Sequence, residues 1–515
     1  MSWSSEPVRI GLPKAAVRDL SGGGTAGHSR RPERHPPEAR RRSRTVPRAR
    51  SVLAFLAAAC LIFIWATPIF AGEENPPADL EHPEKGRPED GVSWYFAEGC
   101  TRPGFEEWLI LFNPGEEEAL VDVEYVVERG INRTRYYNLP PRSRLNVYVN
   151  QEVGSGHDLG LVASSERFFL AERSIYFNYR GVWKGGYSSS GAPSPSSEWY
   201  FAEGGAGADR DCWLSLLNPL ETDCEARVFL VREGGENIAL PLVLPGKRRV
   251  TVNLGEAAGS WRDFFIMVMA DGPVVAERQQ FFSYVSPRKK GPSCAGGFSS
   301  AGATSPSEEL YLASVGALPD RDTWLVAANP DIADARIDVQ LLFGPGDVRE
   351  TTLWLGGLSR QAFDLALLAG GEGECSVLLR SDRPLLCEAV TYFDLGGDMN
   401  GGSCVTASVE CGRRWYVVDL GDGGESHPWL ELANFGEEPA AVAVFLYLEG
   451  RIERLTLTVE PKGRSSLAVE GPVPPESSSS CEILCDRDIL AQKSFYFIYH
   501  GLWGGGDASM ATQAP

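Results

Sequence analysis

The chain has 515 residues and a formal net charge of −20, a length that corresponds to roughly three to four domains. The charge is divided unevenly: residues 1–50 carry twelve basic and four acidic side chains (12 − 4 = +8), so the remainder carries −20 − 8 = −28. So acidic a region repels phosphate groups, which argues against nucleic-acid binding.

Residues 1–50 are expected to be a disordered, cytoplasmic segment, and an apolar run follows them. Residues 52–70 contain no charged side chain, and as a helix these 19 residues would span about 28 Å, close to the hydrocarbon core of a bilayer. Arginines precede the run and glutamates follow it, which predicts an internal N-terminus and an external remainder. Two interpretations stay open: residues 51–71 are a signal anchor that remains in the membrane, or a signal peptide cleaved after Ala71. The protein is therefore expected in the cell membrane, single-pass with extracellular C-terminal repeats, or secreted.

Four copies of one pattern follow a linker at residues 72–91. The motif Trp-Tyr-Phe-Ala-Glu-Gly opens at Trp94 and again 105 residues later at Trp199, and weaker forms open at Leu310 and Trp415. In each copy a Trp follows 14 residues after the opening and an Asn five residues later: Trp108 and Asn113, Trp213 and Asn218, Trp324 and Asn329, Trp429 and Asn434. A period near 105 exceeds that of solenoid repeats and suits one small β-sandwich per copy.

Each copy also shows short runs that alternate apolar and polar residues. In the first copy Val121, Val123 and Tyr125 alternate with Asp122 and Glu124, a period typical of a sheet packed on one face. The sequence therefore predicts an all-β fold of four tandem Ig-like β-sandwiches, at 92–196, 197–306, 307–411 and 412–515. Because short Ser/Pro/Gly segments join the copies, we expect an extended rod of touching domains.

The recurring Trp and Asn residues have structural interpretations. The Trp of each pair lies in an apolar strand and is interpreted as an anchor of the core. The Asn precedes Pro in three copies, as in Asn113-Pro114, and Asn-Pro favours a turn because the side chain can bond nearby backbone.

Two acids per copy suggest a sharper hypothesis. Glu98 with Glu172, and Glu203 with Glu277, could form the acid and base of a glycoside hydrolase. The later copies argue against it, because Ser314 and Gln492 occupy two of these positions, and Glu172-Arg173 is interpreted as charge at a strand edge. No catalytic residue, metal site or cofactor is predicted, since none of the common catalytic motifs is found.

The aromatic ends of the copies are the best binding candidates. Tyr179 and Trp183 in the first copy correspond to Tyr499 and Trp503 in the fourth. Exposed rings of this kind stack on sugars, so cell-wall polysaccharide is one candidate partner. The other interpretation is that the same residues seal one domain against the next, with other surface proteins as partners of the chain.

Eleven cysteines fit an oxidising compartment. Cys212 and Cys224, and likewise Cys375 and Cys387, are twelve residues apart, a spacing that could staple neighbouring strands of a hairpin. Both pairs are disulfide candidates.

The opening Trp-Tyr-Phe-Ala-Glu-Gly, the Trp-Leu-x-Leu-x-Asn-Pro strand, the Ala-Glu-Arg strand and the Trp-x-Gly-Gly close resemble an uncharacterised family of bacterial extracellular repeats. The resemblance covers residues 92–515, most closely in the first two copies. It implies export and a β-rich repeat, and it implies no activity. Sequence and resemblance together predict a non-catalytic bacterial surface protein, a structural or adhesive stalk or interaction module, with carbohydrate or cell-wall binding as the alternative.

Overall fold

The computed structural model describes residues 91–232, 236–259, 261–421, 426–469 and 479–513. The basic segment at 1–50, the apolar run at 51–71 and the linker at 72–91, apart from Gly91, lie outside these ranges. Within the described part, no helix has both the length and the apolar character needed to cross a membrane.

The described residues confirm the all-β prediction, since they form strands and three short helices. Repeat 1 folds as two four-stranded sheets, ordered β1-β6-β3-β4 and β5-β2-β7-β8. Its elements are β1 (Val92–Phe96), β2 (Phe105–Asn113), β3 (Ala119–Val127), β4 (Arg133–Leu139), β5 (Ser143–Tyr148), α1 (Val149–Val153), β6 (Leu159–Ser165), β7 (Leu170–Tyr179) and β8 (Trp183–Ser190).

Repeats 2 to 4 keep this pairing but join the strands equivalent to β6 and β7 into one long strand. Repeat 2 comprises β9 (Ser196–Phe201), β10 (Arg210–Asn218), β11 (Cys224–Val231), β12 (Asn237–Leu244), β13 (Arg248–Asn253), α2 (Leu254–Ala258), β14 (Phe265–Val285) and β15 (Ser293–Ala301). Repeat 3 comprises β16 (Ser307–Ala317), β17 (Arg321–Asn329), β18 (Ala335–Gly344), β19 (Asp347–Leu355), β20 (Ser359–Asp364), α3 (Leu365–Leu368), β21 (Gly373–Asp394) and β22 (Asn400–Thr406). Repeat 4 comprises β23 (Gly412–Val417), β24 (Ser426–Asn434), β25 (Ala440–Leu448), β26 (Arg451–Val459), β27 (Gly463–Ala468), β28 (Ser480–Tyr499) and β29 (Trp503–Met510).

The long strand carries the chain from one half of each repeat to the other. In repeat 2 the first half of β14 pairs with β9 and β11, and the second half pairs with β10 and β15. The core of the repeat lies between these halves, where Trp199 and Phe201 pack with β10, β11 and β14.

The alternating pattern predicted for β3 is confirmed. Val121, Val123 and Tyr125 are buried, whereas Asp122 and Glu124 are partly exposed. The equivalent strand β25 is buried on both faces, because Phe445 and Tyr447 pack against repeat 1. A strand's second face is thus covered where two repeats meet.

The expected extended rod is wrong. The last strands of the repeats pack in the cyclic order β8–β15–β22–β29 and back to β8, so repeat 4 contacts repeat 1. The four repeats therefore surround a common axis with pseudo-fourfold symmetry, and each has two neighbours.

Glycines make the approach of the four strands possible. A Cβ on Gly402 of repeat 3 would lie 2.7 Å from the ring of Phe282 in repeat 2. The same relation recurs around the axis, in the pairs Gly297–Phe177, Gly402–Phe282, Gly506–Phe393 and Gly186–Phe497. The paired glycines near the end of each copy are therefore packing positions, where a larger side chain would force a neighbouring ring to move.

Candidate functional site at the repeat junctions

The acids that suggested a hydrolase do not face one another. Glu98 lies at the junction between repeats 1 and 2, whereas Glu172 lies at the junction between repeats 4 and 1. Both are almost fully buried, at 4% and 1% exposure, and Arg173 is buried at 0%. The interpretation of Glu172-Arg173 as charge at a strand edge is therefore wrong.

One hydrogen bond recurs at all four junctions. The backbone N–H at the fifth residue of each opening motif donates to a side-chain oxygen of the next repeat, on its long strand or, in repeat 1, on the equivalent strand β7. The pairs are Glu98–Glu277 at 2.7 Å, Glu203–Glu388 at 2.6 Å, Ser314–Gln492 at 3.3 Å and Asp419–Glu172 at 3.2 Å. The fourth pair joins repeat 4 to repeat 1, which closes the cycle.

A buried cation completes three of these junctions. At the first, Arg173 donates to the carbonyl oxygen of Glu98 at 2.6 Å and to Oε2 of Glu277 at 2.7 Å, and its second Nη lies 3.0 Å from Oε2 of Glu98. Arg278 and Lys493 make the equivalent contacts at the 2–3 and 4–1 junctions. We call each set of opening residue, cation and long-strand residue a junction triad.

The triad between repeats 3 and 4 is neutral at every position. Ala389 stands where the cation would be, Ser314 replaces the opening acid, and Gln492 replaces the long-strand acid. The Gln492 side chain accepts from the N–H of Ser314 and donates to its carbonyl oxygen at 2.9 Å. Its amide thus makes both backbone contacts that elsewhere require a carboxylate and a cation, and no charge is buried without a partner.

One further arginine from each repeat, outside the triad, contacts the preceding repeat. Arg249 donates to the carbonyl oxygen of Ala97 at 2.9 Å, and Arg360 pairs with Glu203. At the equivalent positions Arg144 lies 2.9 Å from Asp419 and Arg464 donates to Ser314 at 2.9 Å. These four arginines were missed in the sequence, although their recurrence 30 or 31 residues after the Asn of each copy is a visible signal.

Burial and neighbouring charges shift the pKa values at the junctions. Burial raises the pKa of Glu107, beside Arg173 and Glu98, to about 8, and burial raises the pKa of Asp507, near Lys493, to about 6. Burial also opposes ionisation of Glu203, but Arg360 and the neighbouring arginines outweigh it and hold its pKa below the usual value. The arginines thus favour the ionised form of Glu203, whereas burial favours the protonated form of Glu107 at neutral pH.

Three of the four recurring Trp residues, Trp108, Trp213 and Trp324, reach a neighbouring repeat. Trp108, Trp213, Trp324 and Trp429 are only half-buried. Trp213 donates to the hydroxyl of Tyr179 in repeat 1 at 3.2 Å, and that hydroxyl donates to Asp211 at 2.6 Å. Trp324 with Tyr284, and Trp108 with Tyr499, repeat this arrangement. Trp108 also packs against the core of repeat 1, but the fully buried Trp residues inside the repeats are Trp94, Trp199 and Trp415, at 1–3% exposure.

The aromatic residues considered for glycan stacking lie among these contacts. Trp183 is 7% exposed and donates to Ser283 of repeat 2 at 3.0 Å. Tyr179 stacks on Phe281 at 4.1 Å, and Tyr499 stacks on Tyr176 at 3.6 Å, in each case across a junction. Trp503 is half-buried near Tyr499. Most of their ring surface thus faces protein.

The recurring Asn residues hold turns. Asn113 donates to the carbonyl oxygens of Glu117 and Leu139 and accepts from the N–H of Gly115. Asn218, Asn329 and Asn434 make the same pattern of contacts, so each fixes the turn after its strand.

The cysteine pairs do not form the expected bridges. All ten cysteines of the described ranges are free. Cys375 and Cys387 share strand β21, where twelve residues correspond to about 40 Å of extended chain, far beyond the reach of a disulfide. Cys212 and Cys224 lie on β10 and β11, which do not pair with each other.

No protein-family model matches the chain, and no curated relative matches it. Among solved structures, Thermotoga maritima 1070 shares 14% identity over 21% of this chain and 94% of its own, with a TM-score of 0.18. The Anabaena sensory rhodopsin transducer shares 18% identity over 16% of this chain and 95% of its own, with a TM-score of 0.15. A tetra-tandem repeat from the extending region of a large adhesion protein shares 9% identity over 78% of this chain and 93% of its own, with a TM-score of 0.11. At these TM-scores the similarities do not indicate a function.

Proposed function

We propose that this chain is a non-catalytic bacterial surface protein, exported or membrane-anchored, whose repeats form one closed structural unit that serves as an interaction module. We also propose that it is a member of the uncharacterised family of extracellular repeats that its motifs resemble. Each repeat is proposed to be an Ig-like β-sandwich.

One observation carries the proposal: the residues best suited to acid–base catalysis hold the repeats together. Glu98 and Glu203 contact arginines and a neighbouring repeat, and both are at most 4% exposed. A catalytic acid needs access to substrate, and a general base must reach a proton within hydrogen-bonding distance. A cavity at the 2–3 junction, lined by Tyr200, Glu388 and Thr406, has only about 10 Å³, room for one water molecule.

The absence of catalysis is tested with the purified chain and bacterial wall polysaccharide. We expect no release of reducing sugar from the native chain or from Glu98→Gln. Hydrolysis that Glu98→Gln abolishes, while the exposed control Glu166→Gln leaves it unchanged, would contradict a non-catalytic role.

Surface location is tested by proteolysis of intact cells that produce the chain. The repeats should be cleaved or labelled from outside, whereas a cytoplasmic marker stays protected. Fractionation then distinguishes a signal anchor from a cleaved signal peptide, because an anchored chain sediments with membranes and a cleaved one is released. A chain protected with the cytoplasmic marker would end the proposal.

Glycan binding is tested separately, by a pull-down of the chain with the same polysaccharide. Because Trp183 is buried and Trp503 is half-buried, we expect little retention. Retention that Trp503→Ala removes, without loss of thermal stability, would instead make the fourth repeat a carbohydrate-binding module.

A further inference from the structure

The four junctions differ in how the chain joins them. Repeats 1 and 2, 2 and 3, and 3 and 4 are consecutive, and each pair is linked by five residues, at 191–195, 302–306 and 407–411. Repeats 4 and 1 are not consecutive, so only non-covalent contacts hold that junction. It is therefore the one junction that can separate without stretching a linker.

The 4–1 junction is as fully formed as the linked ones. Lys493 pairs with Glu172, Arg144 lies 2.9 Å from Asp419, and Ser188 donates to Asp507 at 2.7 Å. The apolar contacts are Phe112 with Tyr447 at 5.0 Å, Phe168 with Tyr416 at 5.5 Å and the stacked pair Tyr176–Tyr499. Two such surfaces match each other whether or not they belong to the same copy of the chain.

The triads define which repeat fits beside which. Gln492 of repeat 4 suits the neutral Ser314 and Ala389 of repeat 3. If an arginine stood in place of Ala389, Gln492 would offer it no carboxylate. Lys493 and Asp419 require an acid such as Glu172. Wrong pairings bury an unpaired charge, which is strongly unfavourable. Repeat 4 therefore has one matching slot, between a repeat 3 and a repeat 1.

A second copy of the chain offers the same slot. We propose that repeat 4 exchanges between copies: it leaves the slot beside its own repeats 3 and 1 and occupies that slot in a second copy, reciprocally. In the resulting dimer every junction of both rings is formed, so the exchanged and closed forms differ mainly in the entropy of association and in the linker.

Repeat 4 is the exchanging unit because its junction with repeat 3 has fewer polar contacts to break than the 1–2 junction. In the described residues Leu395 stands where Tyr179, Tyr284 and Tyr499 contact the next repeat's Trp, and the triad holds no ion pair. The linker at 407–411 is exposed at Val409 and Glu410, so its end can straighten. Ala407 and Ser408 stay hydrogen-bonded to Cys387 and Tyr311 of repeat 3, so the free span is residues 409–411, up to about 10 Å when extended.

A cysteine pair tests the exchange in the full-length chain. Thr512 of repeat 4 and Ser190 of repeat 1 have hydroxyl oxygens 3.2 Å apart, so Ser190→Cys with Thr512→Cys places two thiols in contact. Oxidation gives a disulfide within one chain in the closed form and a disulfide between two chains in the exchanged form. Ala303→Cys with Thr406→Cys is the matched control, since pseudo-symmetry places these residues equivalently across the 2–3 junction.

We expect the Ser190→Cys/Thr512→Cys chain to give covalent dimers on non-reducing gels after incubation at high concentration. While monomer predominates, a tenfold higher concentration during incubation should raise the ratio of dimer to monomer about tenfold by mass action. The control pair should give monomers at every concentration, and mass spectrometry should show full oxidation in both. The native chain should give no covalent dimer, which excludes its own cysteines as the source.

Two results would overturn the proposal. One is complete oxidation of the Ser190–Thr512 pair to monomer at every concentration and incubation time. The other is equal dimer formation by the control pair, which would show that copies exchange or associate without repeat 4 as the unit. A thermal melt of each reduced variant, matching the native chain, shows that both pairs report on the folded protein.

Discussion

Nη1 of Arg173 in repeat 1 lies 2.7 Å from Oε2 of Glu277 in repeat 2, and neither side chain has any exposed surface. The same arginine also reaches Glu98, so one buried cation serves two carboxylates from two repeats. Two carboxylates and one cation are thereby fixed at the point where consecutive repeats meet.

Removing that cation should destabilise the protein strongly. Arg173→Met leaves Glu98 and Glu277 buried without their partner, and the loss of one member of a buried pair costs about 3–5 kcal/mol. The shift in the denaturation midpoint measures this cost. The triple variant Arg173→Ala, Glu98→Ser, Glu277→Gln copies the neutral triad of repeats 3 and 4 and should recover most of the loss. A triple variant less stable than Arg173→Met would contradict the account of the neutral triad.

The converse experiment adds charge to the neutral triad. Gln492→Glu alone should destabilise the protein by about 1–3 kcal/mol or more, because the carbonyl of Ser314 loses its donor and a carboxylate is buried. Adding Ala389→Arg should restore stability, since the new guanidinium can occupy the position that Arg173 and Arg278 occupy elsewhere. The coupling energy of this double-mutant cycle is the measurement. Additive effects of the two substitutions would show that these positions do not interact.

Glu107 should make stability depend on pH. Burial raises its pKa to about 8 in the folded protein, against 4.5 for the free side chain. The folded state holds the proton more tightly, so the stabilising contribution is complete below pH 4.5 and is lost as pH rises to about 8. Glu107→Gln keeps the uncharged shape and should remove this part of the decline. Thermal melts from pH 5 to pH 9 compare it with the native chain and with the exposed control Glu166→Gln, and parallel curves for all three would exclude the effect.

The glycines at the axis should tolerate no side chain. A Cβ on Gly402 would lie 2.7 Å from the ring of Phe282, so Gly402→Ala should cost about 1–3 kcal/mol by overpacking. Gly344→Ala is the control, because open space surrounds that position and its backbone is not in the left-handed region. A thermal shift is expected for Gly402→Ala only. Equal shifts would mean that the loss comes from the glycine backbone and not from the packed axis.

The local rules of strand formation were visible in the sequence. The period of two in β3 follows from one buried face, and the recurrence of Asn113 at each strand end follows from a turn that its side chain completes. These features depend on residues close together in the chain, which is why a single repeat displays them. The period near 105 likewise follows from the size of one folding unit.

What lies between repeats was not visible, because it depends on residues 100 to 400 positions apart. Glu98 and Glu172 look like a pair within one copy, yet each completes a different junction. Trp108 looks like a core residue, yet it donates to Tyr499 at the far end of the chain. Sequence by itself determined the all-β repeat and its turns. Tertiary structure alone decided that the four copies close on themselves, since a buried charge specifies its partner only once the surfaces that exclude water from it have met.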